Sequence, residues 1–366
     1  MADKASKAEI RERAARKTAA TKGLHYVSDT MPGIRRITRG KNFAYVNAKG
    51  KAVTSVSVLQ RIGKLAIPPA YDRVWICSNP LGHLQATGFD ARGRKQYRYH
   101  ERWRSVRDAD KFLRMVQFGS LLPKLRRRLQ LDLQLPGLPL QKVLALVVTL
   151  LQTTLLRVGN GDYVRQNNSF GLTTLRDRHV RFIGKTRVKI QFRGKSGQAQ
   201  SAELSDRRIA HILRRCQELP GQQLFQYVDE GGNHQPIHSG MVNDYLLEIM
   251  GVASDGTGFT AKDFRTWGAT LHAIQLLVEL PQQSRVEEMS TREINHVLVD
   301  VCSQVAQALG NTPAVCRKSY INPWVLQSWS QGSLPTPTQP CTNRRQLERY
   351  ALQVLKLQRR RHTADG

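Results

Sequence analysis

Between Leu24 and about His100 the apolar residues come in short, β-prone runs, among them Phe43-Ala44-Tyr45-Val46, Arg73-Val74-Trp75-Ile76 and Leu84-Gln85-Ala86-Thr87. Gly, Pro and Asp break them up, so residues 23–100 are expected to form a small β-rich domain. From Glu101 to Gln130 a basic stretch reads as helix, and Leu135-Pro136-Gly137-Leu138-Pro139 marks a turn, so 101–139 is expected as a helical connector. Leu140–Arg157 contains the longest apolar run, Val143 to Leu156. Gln152 and three threonines interrupt that run. It is too short to span a bilayer and predicts a buried helix. Leu172–Ile183, Arg187–Arg193 and Gln198–Leu204 are polar and β-branched, with Gly184-Lys185 and Gly194-Lys195-Ser196-Gly197 between them. They predict a three-stranded antiparallel sheet. After Ser205 a helical period runs through 206–219, 238–250, 260–280 and 284–309. The fold class expected is α+β, with a mainly helical second domain over 140–330. The charged flanks, 1–22 and 331–366, read as basic helices or tails.

Charge narrows the partner. Fifty-seven Lys and Arg face 28 Asp and Glu in the 366 residues, a formal net charge of +29. Such a chain is drawn to polyanions, where neutralising phosphates releases counterions. The basic residues are dispersed, in Arg92-Gly93-Arg94-Lys95, Arg126-Arg127-Arg128, Arg207-Arg208 and Arg359-Arg360-Arg361. Dispersal suits a protein that encloses its polymer, and binding without chemistry remains open on charge alone. The five cysteines are scattered without metal-ligand spacing, which argues against a zinc site or disulfide framework and fits a reducing cytoplasm. Met1–Thr21 is charged and Ala-rich and lacks the apolar core of a signal peptide, so no membrane partner is expected.

Phosphodiester transfer needs a nucleophile, positive charge on the non-bridging oxygens and a proton for the leaving oxygen; many enzymes use Mg²⁺ for the second task. No acidic cluster of the kind that holds such ions is evident, so no metal or other cofactor is expected. Arg and Lys are then the candidates, since guanidinium donors match phosphate geometry. Six segments follow one another in a telling order. Ile67-Pro68-Pro69-Ala70-Tyr71 and Gly93-Arg94-Lys95-Gln96-Tyr97-Arg98-Tyr99 come first, then Leu155-Leu156-Arg157-Val158-Gly159-Asn160-Gly161-Asp162-Tyr163 with Gly171-Leu172-Thr173-Thr174-Leu175. Phe192-Arg193-Gly194-Lys195-Ser196-Gly197, Thr260-Ala261-Lys262-Asp263-Phe264-Arg265-Thr266-Trp267-Gly268 and Asn311 to Pro323 complete the series. Together, over roughly residues 24–330, they resemble the type IB DNA topoisomerases, in the compact bacterial and poxvirus-like branch.

The resemblance implies a clamp around double-stranded DNA, acting as a monomer without ATP or metal. Tyr320 would attack a backbone phosphate, forming a 3′-phosphotyrosyl link. Arg157 and Arg265 would hold the non-bridging oxygens, and Lys195 would protonate the leaving 5′-oxygen. Many family members carry His nine residues before the tyrosine; here Asn311 stands there and could only donate a hydrogen bond. Lys262 would lie near the leaving oxygen. In the N-terminal domain Gln96, Tyr97 and Tyr99 would meet the major groove, with Arg94 and Lys95 on phosphates.

Each residue also has a plain reading. Tyr320 could be an ordinary tyrosine before Pro323. Arg157 or Arg265 could be salt-bridged to Asp162 or Glu279, and Lys195 a solvated turn lysine. Gly194-Lys195-Ser196 is not a nucleotide-binding loop, because Lys189 stands where that motif needs Gly. Asn311-Thr312-Pro313 would make a good helix start with either polar residue as cap. Tyr97 and Tyr99 share a strand face and could be a core pair. A tyrosine-class recombinase usually shows His-x-x-Arg where this chain has Lys262-Asp263-Phe264-Arg265, and a helical N-terminal domain where this one is β-rich.

Overall fold

The computed structural model describes residues 7–40, 42–91, 93–103, 111–112, 114–253, 257–280 and 286–364. Arg92, residues 104–110 of the expected connector helix, residues 284–285 and the side chains of Asp162 and Arg359-Arg360-Arg361 lie outside the described residues. The chain forms two compact units, Met1–Lys111 with Ser254–Thr257, and Phe112–Ala253 with Gly258–Gly366.

The first unit carries α1 (Lys7–Ala20), β1 (Ile34–Arg39), β2 (Asn42–Val46), α2 (Val56–Lys64), β3 (Asp72–Ile76), β4 (Leu84–Phe89) and β5 (Lys95–Tyr99). The strands form one antiparallel sheet in the order β2-β1-β3-β4-β5. Alternation along the strands turns Ile34, Val74, Ile76 and Ala86 to one face, where they pack on Ile62 of α2. A separate cluster of Ala19, Leu24 and Trp103 seats α1. On β5 the same alternation separates Lys95, Tyr97 and Tyr99 from Gln96 and Arg98.

The second unit begins with α3 (Met115–Asp132) and α4 (Leu140–Thr154), then α5 (Gly161–Asn167) and the sheet of β6 (Val180–Ile183), β7 (Arg187–Arg193) and β8 (Ala199–Ser205). The sheet is antiparallel with β7 central. There follow α6 (Arg207–Gln217), a small hairpin β9 (Gln226–Val228) and β10 (His234–Pro236), α7 (Ser239–Met250) and α8 (Ala261–Val278). Last come α9 (Thr291–Leu309), α10 (Pro313–Ser319), α11 (Pro323–Ser330) and α12 (Arg344–Ala364). None of the described helices is long and apolar enough to cross a membrane.

α3 is a core helix. Its buried Met115, Phe118, Leu122, Leu125 and Leu129 fall on one stripe at three- and four-residue steps. Gly119 lets two other helices close on that stripe: a Cβ there would lie 2.4 Å from the Trp267 ring of α8 and 2.8 Å from Leu352 of α12. Arg126, one of the basic triple, spends its charge inside, reaching both Glu348 oxygens at 2.7 Å. α12 thereby packs into this core through Leu347, Tyr350, Ala351, Val354 and Leu355.

Two expectations are corrected. α4 stops at Thr154, because Leu155 takes a left-handed φ of 54° and ends the ladder. Leu172–Ile183 is not one strand: residues 172–174 and 177–179 are single 3₁₀ turns and only Val180–Ile183 pairs with β7. The amides of Leu172 and Thr173 are occupied elsewhere, on the carbonyls of Arg157 and Val158 at 2.8 and 2.7 Å.

Candidate active site

The loop that follows α4 brings Arg157 into place. Beyond the two amide bonds just described, Thr173 Oγ1 donates to the Val158 carbonyl at 2.9 Å. The backbones of Gly159 and Gly171 touch, so a Cβ on Gly171 would lie 2.5 Å from the Gly159 Cα. Gly159 has φ +97°, a conformation side chains disfavour. Leu155 completes the loop by lying against Gly268 of α8, where a Cβ would be 2.5 Å from its methyls. The Leu155 carbonyl is thereby delivered to Arg265.

Arg265 lies in the first turns of α8, whose start is fixed by Thr260 and Asp263. The Thr260 amide donates to Asp263 Oδ2 at 2.8 Å, and Arg114 reaches the same oxygen at 3.5 Å. At 3% exposure Arg265 is buried. It donates through Nη1 to Leu155 and through Nη2 to the Leu309 carbonyl at 2.9 Å. Its Nε is shielded from solvent and has no hydrogen-bond partner among the described residues. Among the described residues neither Arg265 nor Arg157 forms an ion pair with a carboxylate; Glu279 instead takes a hydrogen bond from Gln275 at 2.9 Å. The salt-bridge reading therefore fails for Glu279, and the Asp162 side chain lies outside the described residues.

α9 ends at Gly310, with φ +59°, in a left-handed turn closed by Gly310 N on Gln307 O and Asn311 N on Ala306 O. The next helix, α10, is capped by Thr312, whose hydroxyl accepts from Val315 N. The Asn311 side chain is left for other work. Its Oδ1 accepts from Arg157 Nη2, which also reaches the Gly310 carbonyl at 3.4 Å. Its Nδ2 is shielded and has no oxygen or nitrogen acceptor among the described residues, the Cys316 thiol standing beside it.

Tyr320 sits at the break between α10 and α11. Thr270 of α8, 1% exposed, grips the chain immediately after it, donating to the Tyr320 carbonyl at 3.3 Å and accepting from Asn322 N at 3.0 Å. The Arg265 guanidinium lies 5.2 Å from the centre of the Tyr320 ring. Burial alone would raise the phenol's pKa, but Arg265, through charge and a hydrogen bond, with Arg157 and Lys262, brings it below its ordinary value. Burial, then repulsion from Arg265, lowers the pKa of Arg157. Tyr320, Arg157, Arg265 and Asn311 thus share one site, with Lys262 exposed on its rim.

Lys195 is exposed at the tip of the β7–β8 hairpin, and its side chain makes no hydrogen bond or ion pair among the described residues. What ties its hairpin to the site is Gln200, which sequence reasoning missed. This buried side chain packs between the two glycines: a Cβ would lie 2.6 Å from its Cγ at Gly194 and 2.3 Å from its Nε2 at Gly310. Thr270 was missed as well. Neither carries a charge or motif position that would single it out.

On the first unit, Tyr97 is 48% exposed and stacks on Tyr99 with ring centres 6.0 Å apart. Lys95 lies 5.7 Å above the Tyr97 ring and pairs with Asp29 at 2.5 Å. Arg94 and Gln96 both bond Asp90, at 2.8 and 2.9 Å. Among the described residues, no group of three or more His, Cys, Asp or Glu side chains is placed to hold a metal ion.

The chain is similar to known proteins over most of its length. Residues 100–329 match the family model described as eukaryotic DNA topoisomerase I, catalytic core, and residues 42–90 match that of the bacterial DNA topoisomerase IB N-terminal domain. The DNA topoisomerase 1B of Acanthamoeba polyphaga mimivirus is 33% identical over 301 residues, covering 81% of this chain and 87% of the viral protein. That of Vaccinia virus (strain Copenhagen) is 19% identical over 264 residues, 70% of this chain and 75% of its own. The matched regions take in β2 to β4 of the first unit and the elements around Tyr320, and the chain belongs to the type IB DNA topoisomerases.

Proposed function

We propose that this topoisomerase relaxes supercoiled DNA through Tyr320. Its phenolic oxygen attacks a backbone phosphorus and loses its proton, the bond to the 5′-oxygen breaks, and that oxygen leaves protonated. A 3′-phosphotyrosyl link holds the broken strand while its free end rotates. The 5′-hydroxyl then attacks the same phosphorus and expels the tyrosine. The phosphodiester energy is kept in the covalent link, so resealing needs no ATP, and Arg157, Arg265 and Lys195 would supply the charge and the proton that other phosphoryl-transfer enzymes draw from a metal ion.

The observation that carries this reading is Tyr320 under Arg265 with its phenol made more acidic by three cations. Arg157 and Arg265 Nε would bind the non-bridging oxygens as negative charge grows there, and Asn311 Nδ2 would add a neutral donor. Lys195, carried on a glycine-flanked tip, would reach the 5′-oxygen as general acid, with Lys262 assisting. Arg94, Lys95, Gln96, Tyr97 and Tyr99 would engage the duplex from the first unit. The protein would act as a monomeric clamp on the DNA of the nucleoid. The recombinase alternative is disfavoured by Lys262 in place of its usual histidine.

The test is relaxation of supercoiled plasmid with EDTA present and ATP absent. The unaltered chain should relax it, and Tyr320→Phe should bind DNA yet form no covalent adduct and relax nothing. Relaxation by Tyr320→Phe would move the nucleophile elsewhere, and inactivity of the unaltered chain would defeat the reading.

A further inference from the structure

Cations outnumber anions two to one in this chain, yet the adjacent Arg94 and Lys95 each have a carboxylate of their own. Asp90 Oδ2 takes Arg94 Nε at 2.8 Å, Arg94 Nη2 at 2.7 Å and Gln96 Nε2 at 2.9 Å. Asp29 Oδ2 takes Lys95 at 2.5 Å and the Thr87 hydroxyl at 2.9 Å. The carboxylates are sunk, at 13% and 18% exposure, while both cations stand at 35%. Each carboxylate is thus more deeply buried than the cation it holds, and Lys95 stands beside exposed Tyr97. Burial works against the Asp29 carboxylate, but Lys95 and Thr87 outweigh it, so the pair keeps its charge. Half-exposed pairs add little to stability. Their effect falls on what the cations can do next.

We propose that Asp29 and Asp90 are built-in counter-anions that hold Lys95 and Arg94 where phosphate oxygens would otherwise hold them, so that DNA must compete with the protein's own carboxylates on this face. The proposal rests on the reading of β5 as DNA-facing. Duplex binding then releases fewer counterions than the charge of the face suggests, which weakens non-specific capture and leaves more of the selection to groups that read shape and bases. Asp90 has a second duty: its Oδ1 accepts from Arg94 N at 3.0 Å and shapes the β4–β5 turn. Asn keeps that acceptor, so Asp90→Asn removes the charge without removing the turn.

The experiment measures duplex binding against salt in the full chain carrying Tyr320→Phe, which restricts the reading to non-covalent association. Asp29→Asn and Asp90→Asn, singly and together, should tighten binding at low salt. Each should steepen the slope of log affinity against log salt by about 0.9, the value for one more phosphate contact. Adding Lys95→Ala to Asp29→Asn should cancel that variant's gain. Unchanged or weaker binding in Asp29→Asn, with thermal melting showing it folded, overturns the proposal. Arg94→Ala and Lys95→Ala in the otherwise unaltered chain separate the two failures. If they weaken binding while the Asp variants do nothing, the counter-anion role alone falls. If they too change nothing, the DNA-facing reading of β5 falls with it.

Discussion

Gly310→Ala tests how the site is held together. The residue has φ +59°, so any side chain there costs about 1–2 kcal/mol in backbone strain. The added Cβ would also meet the Gln200 amide at 2.3 and 2.6 Å, well inside contact distance. Gln200 has no easy retreat, because Gly194 closes on its Cγ from the other side. Either Gln200 is pushed towards the hairpin that carries Lys195, or Gly310 moves and carries Asn311 with it. A displacement of about 1 Å at a reacting centre costs on the order of 10²-fold in rate. Gly184→Ala is the control, since Gly184 has φ +64° with nothing within 4 Å of its Cβ. Both variants should lose similar stability by thermal melting. In single-turnover cleavage, Gly310→Ala should be slower than Gly184→Ala by about 10- to 100-fold. Gln200→Ala in the Gly310→Ala background should restore part of the rate by removing the obstruction. Equal cleavage by the two glycine variants, or no rescue, would refute the argument.

Lys262 is exposed and helps lower the Tyr320 pKa, so Lys262→Ala should move the ionisation in the pH–cleavage profile up towards about 10. A depressed phenol pKa contributes stability above the unfolded value, and that is lost as pH falls through the folded one. Melting at neutral pH should therefore not report the change, and an unmoved cleavage profile would count against the cationic cluster. Lys195→Ala should slow cleavage of ordinary DNA more than cleavage of a substrate with a better 5′ leaving group; equal loss on both would remove the general-acid role. Glu348 has its pKa lowered, burial being outweighed by Arg126 and Arg344, so it stabilises above the unfolded value of about 4.3 and ceases to as pH falls through the folded one. Glu348→Gln should cost about 3 kcal/mol at neutral pH and progressively less in acid, and a constant difference across that range would contradict this.

Much of the fold was legible because its elements obey local rules. The runs at Phe43, Arg73 and Leu84 became β2, β3 and β4, and two glycine turns delimited β6, β7 and β8. The failures share a cause: local pattern reports which residues favour burial, not what their polar groups will bond. Leu172–Leu175 looks like strand because it is apolar and β-branched, yet its amides serve the Arg157 loop. The stretch up to Gln130 reads as a basic connector, whereas Arg126 of α3 turns into the core and is neutralised by Glu348 222 positions later.

The active site shows the same limit at a single residue. In the sequence, Asn311 and Thr312 are equally good caps for the helix beginning at Pro313, and capping by Asn311 would leave its side chain nothing to give a phosphate. The outcome turns on Gly310. Because it can turn left-handed, the two amides after α9 fold back onto α9 itself, and Asn311 becomes the end of one helix instead of the start of the next. Thr312 takes the cap, and the Asn311 carboxamide lies across Arg157 with its NH₂ end unclaimed by any oxygen or nitrogen acceptor among the described residues. The chemistry available at this position is therefore decided by a neighbouring glycine whose own environment, the Gln200 side chain, is set by a hairpin more than a hundred residues earlier.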